Sequence, residues 1–154
     1  MRETYTRIDL KKTALCSLIF GAVATTVHFV GAFIMQKFYT SAQYAAFFNP
    51  MISKSAQGIG IEFFALAFAA FFAIGAINAI SYIAIKGSIK GTRVHEKGMR
   101  FAILLFTIQG LTAAVLAQLF LSLPTFLILE WLLEMIVAYA VIGVFFALIL
   151  EEQQ

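Results

Sequence analysis

Two glutamates, Glu130 and Glu134, stand in the stretch LEWLLEMIVAYA, one of the most apolar parts of the chain. On a helix, positions i and i+4 share a face. Two carboxylates that close repel when both are ionised. A buried pair therefore keeps a proton, gains hydrogen bonds, or meets a cation. Acids in lipid are expensive, at about 2.5–3.5 kcal/mol each on insertion scales, so they are expected to face protein or water. Glu62 is a third such acid. It starts its apolar run just after Gly58, as Glu130 does after Pro124. A helix N-terminus favours a nearby anion by up to about 1 kcal/mol, which accounts for those two. Glu134 lies roughly 15 Å beyond Pro124 at ~1.5 Å per residue, near the middle of a bilayer, where no dipole accounts for it. The polar groups on other segments that could meet it are Asn78, Gln109, Gln118, Thr25, Thr26 and His28.

Other chemistries lack their residues. His28 is a lone histidine in an apolar run, and haem ligation normally needs a paired axial ligand. His95 sits among lysines, and Cys16 is the only cysteine. Residues so far apart predict no metal site, no disulfide and no cofactor. Gly87, Gly91 and Gly98 do not have the spacing of a phosphate-binding loop. No nucleophile motif is present, so no enzymatic activity is expected. The weaker alternative is a membrane enzyme acting on lipid or quinone, with Glu130 and Glu134 as acid and base.

These residues need elements to hold them. Of 154 residues, 62% are apolar and 12% charged, and mean hydropathy is +0.92. A soluble domain carries about 25% charged residues, so the solvent here is lipid. The expected fold is an all-α integral membrane protein, one domain with four transmembrane helices. The spans run over about 13–36, 58–85, 101–121 and 125–150, each near or above the ~20 residues that cross a bilayer. The first run has a signal-like start at Lys11-Lys12 and an Ala22-Val23-Ala24 site. It continues to Met35, too long for a leader, and reads as a membrane helix.

Arg2, Arg7, Lys11 and Lys12 precede the first span. Lys86, Lys90, Arg93, Lys97 and Arg100 lie between the second and third, while the other connections hold only Lys37 and Lys54. Positive residues stay inside, which predicts a multi-pass protein of the plasma (inner) membrane with both termini cytoplasmic. The five basic residues of the inner loop are candidates for anionic lipid headgroups. The net charge of +3 thus reflects topology, and no nucleic-acid partner is expected. In the first outer loop, Ser41 reads as an N-cap before Tyr44, Phe47 and Phe48, a short interfacial helix stopped at Pro50.

A shift of 68 residues lays Glu62 on Glu130, Phe63 on Trp131, Phe71 on Tyr139 and Gly75 on Gly143. The odd segments match less well, Gly21 on Gly110 and Ala24 on Ala113. Two tandem helical hairpins related by an axis along the membrane normal are one reading. Ala65, Ala69, Ala73 and Ala76 form a small-residue stripe, with Gly75 and Ala79 as a second pair, which predicts close packing within the bundle or against partners. Phe64, Phe68, Phe71 and Phe72 lie on another face. The first functional expectation is a non-catalytic subunit packed with other membrane subunits or copies of itself, and with membrane lipids. The alternative is a small proton- or cation-conducting transporter or channel using Glu134 and Glu130, with Glu62, Gln109, Gln118, Asn78 and His28 in its polar interior.

Overall fold

The computed structural model describes residues 9–39, 41, 43, 61–121 and 123–151. The described residues are all helical or connecting turns, with no strand among them. Four helices are long and apolar enough to cross a membrane. Helix α1 spans Leu10–Ile34, followed after Met35 by a short α2, Gln36–Tyr39. Helix α3 spans Ile61–Ile85. The third span is composite: α4 is Val94–Leu105, a π-helical turn covers Phe106–Leu111, and α5 is Thr112–Phe120. Helix α6 is Thr125–Leu150. The expected short helix in the outer loop falls on 42 and 44–50, outside the described residues.

Local chemistry sets the ends. The Asp9 carboxylate accepts from the N–H groups of Lys11 and Lys12 and so starts α1. The third helix begins at Val94, earlier than the apolar pattern alone predicts. Glu96 reaches back to accept from the N–H of Thr92 at 3.1 Å and of Arg93 at 3.5 Å, so a polar turn joins the helix. Just before it, Gly91 has φ +148°, a conformation that side chains disfavour.

Helix α1 packs on α3 and on α6, and α4 packs on α6. Glycine sets how close they come. A Cβ on Gly75 would lie 2.6 Å from Phe20 Cβ and 2.9 Å from Ser17 Cα of α1. Gly98 and Gly143 face each other, and a Cβ on Gly98 would sit 2.6 Å from the Gly143 carbonyl oxygen. In lipid, such close backbone approach replaces the hydrophobic effect as the source of cohesion. The core formed this way holds Cys16, Phe20, Tyr82, Phe101, Ile142 and Phe146. Tyr82 meets Phe101 edge-on at 4.9 Å, bridging α3 and α4.

The small stripe divides. Gly75 and Ala79 are buried, but Ala65, Ala69 and Ala73 are exposed, so the bundle does not use that face internally. The buried positions also recur. Gly75, Asn78, Ala79 and Tyr82 of α3 are buried at the spacing of Gly143, Phe146, Ala147 and Leu150 of α6. Ser17, Phe20, Gly21 and Ala24 of α1 are spaced as Gly98, Phe101, Ala102 and Leu105, which are buried too.

Candidate functional site

The two acids of α6 meet α1 at one glycine. Gly31 lacks the side chain that would collide with both carboxyls, so the Oε1 atoms of Glu130 and Glu134 lie against its backbone. The two carboxyls are within hydrogen-bonding reach of each other. Among the described residues neither Oε1 has another partner, and both are buried. The other oxygen of Glu134 lies 2.9 Å from His28 Nδ1, one turn earlier on α1. The other oxygen of Glu130 accepts from the Tyr39 hydroxyl at 3.5 Å, and that hydroxyl accepts in turn from the Trp131 indole N–H. Burial above all, with the nearby carboxylates, pushes the Tyr39 phenol up, so it remains a donor.

The arrangement has a plain electrostatic reading. Two carboxyl oxygens turned toward one another, with no other donor, are satisfied by a single proton between them. The arrangement therefore leaves a place for one proton inside an apolar bundle.

A cavity of about 290 Å³ opens beside Glu134. Its walls include Phe20, Phe71, Trp131 and Tyr139, with His28 at its polar edge. Tyr139 links this cavity to a second polar group. Its hydroxyl donates to Gln109 Oε1 at 3.1 Å, and Gln109 Nε2 donates to Asn78 Oδ1 at 2.7 Å. Gln109 lies in the π-helical turn, a widened turn of a kind frequent at functional sites. Asn78 is 1% exposed, and its Nδ2 has no partner.

The remaining sequence candidates lie elsewhere. Glu62 and Gln118 are exposed, and neither joins this cluster. Thr26 is exposed, and the Thr25 hydroxyl is buried without a partner. In the inner loop, Lys86 donates to the Leu150 carbonyl at 3.1 Å and Lys97 pairs with Glu151 at 3.0 Å, while Lys90, Arg93 and Arg100 are exposed. Tyr82 also donates to Glu151, at 2.9 Å. Burial alone would raise the Glu151 carboxyl. Its bonds from Lys97 and Tyr82 and the charges of Lys97 and Lys86 outweigh that and hold it below the usual range. Among the described residues, no group of His, Cys, Asp and Glu could hold a metal ion.

Gly31, Tyr39 and the ring walls were not among the residues singled out from the sequence. Gly31 could have been: it lies three residues after His28, on the same helical face. Tyr39 had no such signal, because the break at Met35 interrupts the register that would have placed it.

Among the described residues four helices are long and apolar enough to cross a membrane, which with the few charges suggests the class of multi-pass membrane proteins. No family model matches the chain, and no curated protein or solved structure is significantly similar to it.

Proposed function

We propose that this chain is a small membrane transporter or channel that binds and passes protons or cations, with Glu134 and Glu130 as the binding groups. One observation carries the reading: two buried carboxyl oxygens without partners face each other over Gly31, with His28 bonded to Glu134. An acid kept inside a membrane bundle marks an ion or proton path by default. The route in this reading runs from Glu130 and Tyr39 at one end, through Glu134 and His28, to Tyr139, Gln109 and Asn78. The helices form two tandem hairpins in the inner membrane with both termini cytoplasmic, which puts Glu130 toward the outer side. The test is proton flux into liposomes holding the purified chain. Glu134→Gln should reduce flux at least tenfold while the protein still folds. Equal flux in wild type and Glu134→Gln would end this proposal.

A second reading has its own support. Ala65, Ala69 and Ala73 form an exposed small-residue stripe on α3, a face suited to close contact with another membrane helix. In that reading the chain is a non-catalytic subunit packed against copies of itself or other subunits. The exposed Lys90, Arg93 and Arg100 then hold anionic lipid headgroups. Particle mass in native lipid separates the two: other chains in fixed ratio favour the subunit, and copies of this chain alone favour the transporter.

A further inference from the structure

The cavity beside Glu134 is built from rings and acid. Phe20 stands between two of its walls, with ring centroids 6.5 Å from Phe71 and 6.2 Å from Tyr139. His28 lies edge-on to Phe71 at 6.4 Å. Trp131 completes the aromatic lining, and its indole N–H is engaged by Tyr39, which fixes the ring. Met135, Val27, Ala24 and Ala138 supply the rest of the apolar surface.

Each ligand class meets these walls differently. An anion would face the carboxyl of Glu134. A neutral apolar molecule would leave that acid uncompensated. A hard metal ion takes about six to eight oxygen ligands, and the lining offers one carboxyl and little else. An organic ammonium ion with an apolar body matches both parts. Its charge meets Glu134, and its body meets aromatic faces that attract cations. We propose that this cavity binds a small lipophilic ammonium ion in exchange for one proton. The proposal rests on the proton-binding reading above and names its substrate class.

Charge balance sets the exchange. One proton is shared between Glu130 and Glu134. A bound ammonium ion brings one positive charge to Glu134 and displaces that proton to solvent, so the net charge of the site is unchanged and the two cations exclude each other. Among the described residues, the groups that face the cluster are His28 from α1, Tyr39 from α2, and Glu130, Glu134 and Tyr139 from α6. Phe71 is the α3 residue in the lining, and Glu62 on that helix is exposed. From the third span, Gln109 approaches behind Tyr139.

The experiment uses the full chain in lipid nanodiscs, titrated calorimetrically with benzyltrimethylammonium and with its neutral isostere neopentylbenzene. The expected result is saturable one-to-one binding of the cation alone, with release of about one proton. Affinity should fall up to tenfold for each unit that pH is lowered. Glu134→Gln should abolish binding. Phe71→Ala, which leaves all the acids in place, should weaken it about tenfold. Equal binding of the neutral isostere, no binding of the cation, or binding indifferent to both substitutions would overturn the proposal. The infrared carboxyl band of the unliganded protein keeps the two readings apart. A band that responds to pH and is lost in Glu134→Gln, without cation binding, sinks the ligand and leaves the proton site. A band unchanged in that variant sinks the proton site as well.

Discussion

At Gly31 the space that a methyl group would occupy is filled by the ends of two glutamates. These are tips of flexible side chains and can swing away. Gly31→Ala should therefore cost only about 1 kcal/mol, the low end for an added methyl in a packed interior. It should also lift both carboxyls off α1 and part Glu134 from His28. The check is a thermal melt beside the ¹⁵N spectrum of the His28 ring: a small shift in Tm with a large change in the imidazole signal. A large loss of stability would mean that the carboxyls cannot move. Glu151 gives a residue-scale prediction of a different kind. Lys97 and Tyr82 keep its carboxyl ionised to lower pH in the fold than in the unfolded chain. The pair therefore stabilises above the ordinary carboxylate range and loses that effect as pH falls through it. At 19% exposure the Glu151 side chain still meets solvent, and screening should keep the effect under about 1 kcal/mol. Wild type should melt slightly higher than Glu151→Gln at pH 7, and the gap should close near pH 3. A gap that widened on acidification would contradict the assignment. The shared face of Glu130 and Glu134 was legible from their spacing alone. The choice of His28 from six candidate partners was not, because that depends on how α1 is rotated against α6.

Between elements, closeness is set where glycine meets glycine. A Cβ on Gly143 would strike the Gly98 carbonyl and come 2.9 Å from Ala102 Cβ. Backbone atoms cannot rotate aside as a carboxyl does. Gly143→Ala should therefore force α6 from α4 and cost about 1–3 kcal/mol, read as a lowered Tm in detergent micelles. Gly87 has nothing near its missing Cβ, so Gly87→Ala should leave Tm unchanged. Equal effects at both positions would show that helix approach is not the cause. Four spans were legible because a long apolar run has no other stable form in lipid. The spacing of Gly75 and Gly143 was legible, and both glycines are buried. The matching spacing of the buried Phe20 and Phe101 stripes was not, because only packing reveals which face of a helix is covered. The π-helical turn at Phe106–Leu111 left no mark in the apolar pattern; it carries Gln109, which pairs with Asn78 and Tyr139 across the bundle.

For the whole molecule, the open prediction is orientation. Basic residues gather before α1 and between α3 and α4, which by the positive-inside rule puts both ends of the chain in the cytoplasm. The surface linkage of Lys86, Lys97, Tyr82 and Glu151 ties that same end of α3, α4 and α6 together, so one orientation carries all three. The chain offers a clean background for labelling. Cys16 is its only cysteine, fully buried, and its thiol should be inert to a polar reagent. Lys90 lies after the last residue of α3 and Gln43 in the connection that follows α2, and both are exposed. A membrane-impermeant maleimide should label Gln43→Cys in intact cells and leave Lys90→Cys unlabelled until the cells are opened. The reverse pattern would place Glu130 and Tyr39 on the cytoplasmic side. The acids would then form the inner mouth of the proposed path, and flux measured in oriented vesicles should respond to pH on that side instead.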